Sequence, residues 1–249
     1  MIAVELMPFV RTGAAILLLV AISTIALRLL RVRHPLRPAV AVLRGAIQLL
    51  VLALILSGII ADGRWVAVFL AVMFPSAVIM ATRRVGRGAR GSLLVGCSIA
   101  AGVLVACSVI FATGAIEFSS RYVLALGSMI IGGSMTVCSV VGRGFSTALT
   151  DRWDEVEGWL ALGATPRQAS IRLARTAAET ALLPLTDQAR TTGIVVLPGA
   201  FIGAIFGGLS PVEAGLFQIT VLAGLIAAGS IVVLTLLIGM TATVSRPSD

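Results

Sequence analysis

Residues 214–240 read AGLFQITVLAGLIAAGSIVVLTLLIGM. From Ala214 to Met240 no side chain is charged, and the apolar residues do not alternate with polar ones. About 20 such residues cross the hydrocarbon of a bilayer. No water is available there to bond the backbone, so the segment must pair its own N–H and C=O groups, and the lack of alternation selects a helix over a closed barrel. Six further stretches have the same character, at about 12–30, 39–60, 65–82, 92–113, 122–142 and 187–208. The predicted fold is therefore an all-α polytopic membrane protein, one transmembrane domain over 1–249 with seven transmembrane helices.

Composition leads to the same class. Of 249 residues, 58% are hydrophobic and 12% charged, with mean hydropathy +1.07. A soluble domain carries about twice that charged fraction. The net charge of +8 arises from 19 basic residues, all Arg, against 11 acidic ones. They cluster beside apolar segments instead of forming one basic face, which excludes a nucleic-acid partner and reports membrane orientation. Cys97, Cys107 and Cys138 lie within apolar stretches without a CxxC pair and read as small buried hydrophobes.

In the first span the positive charge follows the apolar run, as Arg28, Arg31 and Arg33, so it is not read as a cleavable leader. Arg31, Arg33 and Arg37 after span one, Arg83, Arg84, Arg87 and Arg90 after span three, and the Arg-rich segment after span five mark the cytoplasmic sides. The opposite connections carry Glu5, Asp62, Glu117 and Glu213 beside Arg11, Arg64 and Arg121. This places the N-terminus outside and the C-terminus, with Arg246, in the cytoplasm. Pro75 is expected to bend span three, and Pro198-Gly199 to break or kink span six.

Residues 143–186, between spans five and six, form the longest polar stretch and are patterned as helix. Asp154, Glu155 and Glu157 stand in a first helical turn, Trp159, Leu160 and Leu162 supply an apolar side, and Gly163 ends that helix. Thr165 then reads as an N-cap, Pro166 as the first helical residue and Gln168 as the partner in a capping box. The second helix runs to about Leu183, where Pro184 stops it or bends it into span six. Two helices meeting at Leu162-Gly163-Ala164 make a cytoplasmic elbow that a docking partner can grip.

The elbow resembles the cytoplasmic coupling motif of ABC-transporter permeases, with Glu157 and Gly163 at the motif's spacing. Arg44-Gly45-Ala46-Ile47-Gln48-Leu49, Gly127-Ser128-Met129-Ile130-Ile131-Gly132, Glu155-Val156-Glu157, Ala161-Leu162-Gly163-Ala164-Thr165-Pro166-Arg167-Gln168-Ala169, Gly193-Ile194-Val195-Val196-Leu197-Pro198-Gly199 and Gln218-Ile219 resemble the Fet-type iron-export permease family, related to the plant aluminium-resistance permeases. The resemblance implies a seven-span permease, dimeric, in the bacterial cytoplasmic (inner) membrane. It implies a cytoplasmic ABC ATP-binding subunit that holds ATP and Mg, no cofactor on this chain, and export of iron. Glu155, Glu157, Leu162, Gly163, Ala164, Thr165, Pro166 and Arg167 are the expected ATPase-coupling residues. Gly133, Ala189-Arg190 and Ala200-Phe201 depart from the family, which tends to place Asn and Met residues there, and so remove amide and thioether donors for a metal.

Polar groups near span interiors are the candidates for a substrate path: Gln48, one turn beyond Arg44, and Asp187, Gln188, Arg190, Thr191 and Thr192, followed by Pro198 and Gly199. Asp187 and Arg190 are an i,i+3 pair that either gates a mouth or merely closes a helix end. Gly199, Gly203 and Gly207 repeat at the four-residue spacing that permits close helix approach. The chain has no Gly-x-x-x-x-Gly-Lys-[Ser/Thr] loop and no His-Glu-x-x-His, so neither a nucleotide site nor an enzyme is expected. A gradient-driven secondary transporter or channel is the alternative, and it would carry intramembrane acids or inverted repeats.

Overall fold

Apolar runs of this length have one way to satisfy their backbone, and the computed structural model is all-α among the described residues. These are 2–59, 63–86 and 88–244 for the backbone, and 11–53, 63–86 and 91–244 for side chains. Glu5, Asp62, Arg87, Arg90 and Arg246, used above for orientation, lie outside the described side chains. The chain divides into two compact units, Met1–Ala61 and Asp62–Asp249.

The first unit pairs α1 (Ile2–Leu29) with α2 (Arg37–Ile59). Leu17, Leu18, Leu19 and Ile22 of α1 and Leu43, Ile47 and Leu50 of α2 are exposed, so the described side chains of this unit form almost no core. Such a surface is stable in lipid and not in water.

The second unit contains α3 (Gly63–Val85), α4 (Gly88–Ala112), α5 (Ser120–Asp151), α6 (Trp153–Ala161), α7 (Pro166–Thr191), α8 (Gly199–Phe206) and α9 (Pro211–Ala242). Five segments among the described residues are long and apolar enough to cross a membrane: Arg11–Leu29, Gly63–Val85, Gly91–Ala112, Ser120–Asp151 and Pro211–Ala242. The protein is thus a multi-pass membrane protein. The second expected span, 39–60, falls on α2, whose last side chains lie outside those described.

Small residues fix how these helices run. A Cβ on Gly127 would meet Leu70 at 3.1 Å and one on Gly142 would meet Val85 at 2.6 Å, two pairs equally separated in sequence, so α3 and α5 are parallel. Gly133 against Leu225 and Val137 against Gly229 make α5 and α9 parallel in the same way. Gly102 faces Ala228 while Gly239 faces Leu94, so α4 runs opposite to α9. Without a hydrophobic force between helices in lipid, close packing at such positions is what holds the bundle together.

The long α5 and α9 form the centre, and α5 runs on to Asp151, beyond the span end expected at 142. Its last turns carry Phe145 and Leu149 into a core shared with Val156 of α6, Leu173 of α7 and Met240 of α9. A second core, with Ala106, Ile110, Leu126, Ile130 and Val221, lies towards the other end. Pro75 lies inside an unbroken α3, and α7 likewise continues through Pro184 to Thr191, so of the two expectations for Pro184 the stop near Leu183 is not met. Of the cysteines, Cys138 is buried, Cys107 half-buried and Cys97 exposed, so burial holds for two of the three at most.

The sixth expected span, 187–208, is not one helix. α7 ends at Thr191, residues 192–198 are irregular, and α8 has only 8 residues. At 1.5 Å per residue α8 is about 12 Å long, too short to span alone. A break was expected at Pro198-Gly199; it begins six residues earlier because the backbone turns at Thr192 and Gly193, and Pro198 instead caps the start of α8.

Candidate functional site

The elbow is built by local chemistry and anchored by a few distant contacts. α6 closes with the Gly163 N–H donating to Leu160 O and the Ala164 N–H to Trp159 O, both at 3.0 Å, the paired bonds of a Schellman turn. The turn needs a left-handed residue, and Gly163 supplies it at φ +88°. Thr165 then caps α7: its Oγ1 accepts from the Gln168 N–H at 3.3 Å, and its own N–H donates to Gln168 Oε1 at 2.9 Å. Pro166 follows at the first helical position.

Val156 is fully buried and pins α6 to α5 and α7. Glu155 pairs with Arg172 of α7, so this acid braces the elbow internally. Glu157, Gly158, Trp159, Leu162 and Gly163 stay exposed at the tip. Leu162 is 81% and Trp159 53% exposed, although this segment lies beyond the ends of the helices that can span. Two large apolar side chains are thus left uncovered on a turn outside the candidate spans. Arg172→Met is expected to lower thermal stability by under about 1 kcal/mol, because the pair is largely solvated. It should also speed proteolysis within 157–165, measured against unchanged cleavage elsewhere.

The second feature is the break after α7. Leu182 and Leu185 pack against Gly229, which itself meets Val137, so α7 lies beside the middle of α5 and α9 when it approaches its end. The Gly193 N–H donates to Val196 O and the Ile194 N–H to Thr191 O. Continued helix would have sent these donors to Ala189 and Arg190, whose carbonyls are thereby released at the negative end of α7. Thr191 Oγ1 donates to Asp187 O at 2.8 Å and Thr192 Oγ1 to Gln188 O at 2.7 Å. Asp187 and Arg190 approach to 3.9 Å while both remain exposed, the geometry of a solvated helix-end pair. Ile194 is 89% exposed, and Val195 and Leu197 are also exposed.

Beyond the break, α8 borders a cleft of about 610 Å³ lined by Tyr122, Ala125, Met129, Ala200, Ala204 and Phe217, with Glu117 and Arg121 also on its wall. A Cβ on Gly199 or Gly203 would meet nothing within 4 Å, so the four-residue glycine repeat packs against no other helix of the described chain.

The structure therefore gathers Asp187, Gln188, Arg190, Thr191 and Thr192 with Pro198 and Gly199 at one break, and sets Glu157, Leu162, Gly163, Ala164, Thr165 and Pro166 at the elbow tip. Gln48 belongs to the first unit, exposed on α2. Arg167 faces a groove between α7 and α9 together with Arg175. Sequence reasoning missed Arg172, because its pairing with Glu155 depends on the fold of the elbow. It quoted Gln218 without assigning it a role; this side chain is 5% exposed and its Oε1 has no partner among the described residues. A buried amide on an otherwise apolar span was the available signal. Among the described residues no three His, Cys, Asp or Glu side chains gather to hold a metal.

A family model described as "Uncharacterised protein family (UPF0014)" matches residues 11–244. The chain belongs to this family. Shorter stretches match curated relatives. The membrane protein STAR2 of Oryza sativa subsp. japonica is 50% identical over 76 residues, 30% of this chain and 27% of that protein. The protein ALUMINUM SENSITIVE 3 of Arabidopsis thaliana is 45% identical over 76 residues, 30% of this chain and 28% of the relative. The probable iron export permease protein FetB of Escherichia coli (strain K12) is 48% identical over 67 residues, 27% and 26% of the two chains. The matched stretches span little more than a quarter of these relatives' length. No solved structure matches. Membership of UPF0014 bears out the expected family and agrees with a membrane permease.

Proposed function

We propose that this protein is the membrane-spanning permease subunit of an ABC transporter, driven by a separate cytoplasmic ATP-binding subunit that holds ATP and Mg. The observation that carries this reading is the elbow: a braced pair of helices that exposes Leu162 and Trp159 outside the spans. A rigid apolar knob at the junction of α6 and α7 passes a push from a docked partner directly into α5 and α7, which share its core. The family and the relative named as an iron export permease support the transporter class. The elbow side is then the cytoplasmic side of a bacterial inner membrane, with the cleft beside α8 opening on the other.

The substrate path runs past the break between α7 and α8. Irregular backbone at membrane depth is tolerated where it lines a cavity or is covered by protein, and broken helices present carbonyls and dipole ends to solutes. The released carbonyls of Ala189 and Arg190, with Thr191 and Thr192, offer oxygen ligands. The exposed Ile194–Leu197 stretch and the unpacked Gly199 and Gly203 form a surface that a second copy of the chain covers, giving a homodimer with the path along its seam. The cargo is a cation, with iron the named precedent; Arg190 stands at the same helix end and disfavours a cation unless its pairing with Asp187 draws it aside.

The test is co-purification in mild detergent with ATP-binding subunits from the same genome. A stable complex that hydrolyses ATP is the expected outcome. Failure with every candidate subunit, together with transport that continues without one, would move the reading to a gradient-driven transporter.

A further inference from the structure

On the elbow side of the second unit, α7 and α9 leave an open groove of about 220 Å³. One wall carries Arg167, Ile171 and Arg175 at four-residue intervals, hence on one face of α7. The other wall is α9, with Ser230, Leu234 and Ile238. Arg167 lies at the end of the groove nearest the C-terminus of α9, and Ala178 with Ser230 at the end nearer the bilayer middle, since the two helices run antiparallel. Neither Arg167 nor Arg175 has an ion pair or hydrogen bond among the described residues, while the nearby acid Glu155 is taken by Arg172.

Two unpaired guanidinium groups beside an apolar trough, whose other wall is α9, a helix long and apolar enough to cross the membrane, match one kind of molecule. A free phosphate has no use for the trough, and a neutral lipid has none for two charges. We infer that the α7–α9 groove holds an anionic glycerophospholipid of the elbow-side leaflet. Its phosphate lies between Arg167 and Arg175, and an acyl chain runs along Leu234 towards Ala178 and Ser230. Long arginine side chains at this depth reach up to the headgroup level with their stems on the apolar wall, and basic sites between helices on one leaflet select anionic headgroups. The inference needs only that the chain is embedded in a bilayer; it stands apart from docking of an ATPase. Its consequence is mechanical, because α7 carries the elbow at its N-terminus and the lipid ties that helix to the leaflet.

The full chain in mild detergent is offered equal amounts of phosphatidylglycerol and phosphatidylcholine with the same acyl chains, and retained adducts are counted by native mass spectrometry. Wild-type protein should retain phosphatidylglycerol selectively. Arg167→Gln should weaken retention roughly fivefold, and the Arg167→Gln/Arg175→Gln double variant roughly thirtyfold. Ser230→Phe, which fills the trough and keeps both charges, should also abolish selective retention. Equal retention of the two lipids by wild type overturns the inference without recourse to any variant. So does unchanged selectivity in the double variant or in Ser230→Phe, or glycerol 3-phosphate displacing the lipid at equal concentration. A cross-link between two copies through Ser230→Cys would mean that protein fills the groove, and would overturn it equally.

Discussion

Leu162→Asp is expected to reduce association with the ATP-binding subunit about thirtyfold while leaving membrane insertion and thermal stability unchanged. The side chain is almost wholly exposed and touches no core, so the folded chain loses nothing when it is replaced. A central apolar anchor seated in a partner's pocket is worth about 2 kcal/mol or more at an interface, and a charge in its place must also be desolvated. The measurement is the fraction of ATP-binding subunit retained with tagged permease, compared with the Trp159→Ala and Glu157→Arg variants, which should fall in the same direction by less. If Leu162→Asp instead lowers the amount of folded permease in the membrane, the elbow serves folding and the coupling role fails. Gly163→Ala separates the two effects from the other side. It keeps the tip's chemistry but strains a backbone at φ +88° by about 1–2 kcal/mol, so it should loosen the elbow without adding a charge.

The largest effect on stability is expected at Gly102. A Cβ there would stand 2.6 Å from the carbonyl oxygen of Ala228 and 2.8 Å from Val232 Cγ2. The first neighbour is backbone and cannot rotate away, so Gly102→Ala must push α4 and α9 apart along a seam that also holds Leu94 against Gly239. Overpacking of this kind costs about 1–3 kcal/mol, and Gly102→Leu more. Thermal unfolding in detergent, followed by loss of monodisperse protein, measures it. Gly45→Ala is the matched control: Gly45 lies inside α2 with nothing within 4 Å of the added methyl group, and its replacement should be neutral or stabilising by up to about 1 kcal/mol. Equal losses at both positions would show that helix propensity, not contact across the α4–α9 seam, governs these sites.

The two experiments probe different links. Gly102 tests how the bundle is held together, and Leu162 tests how it is moved. Only a permease that survives Leu162→Asp intact but loses its partner satisfies the proposed mechanism.

The sequence by itself determined the elements whose physics is local. An uncharged run such as 214–240 in hydrocarbon has no alternative to helix, because each backbone donor must find its acceptor four residues away. The elbow was legible for the same reason: the Thr165–Gln168 capping box and the left-handed turn at Gly163 each close within a few residues. Only the tertiary structure decided what depends on neighbours distant in sequence. The seam positions of Gly102, Gly127, Gly142 and Gly239 emerge only when helices meet, since small residues look alike along a span until one of them faces a backbone. The bracing of Glu155 by Arg172, and the turning of Arg167 towards α9 beside Arg175, follow from how α6 and α7 pack. For residues 187–208 the sequence indicated a break at Pro198-Gly199, but its start after Thr191 emerged only in the structure. The departure from helix lies in where the Gly193 and Ile194 donors turn, a backbone choice that composition does not record.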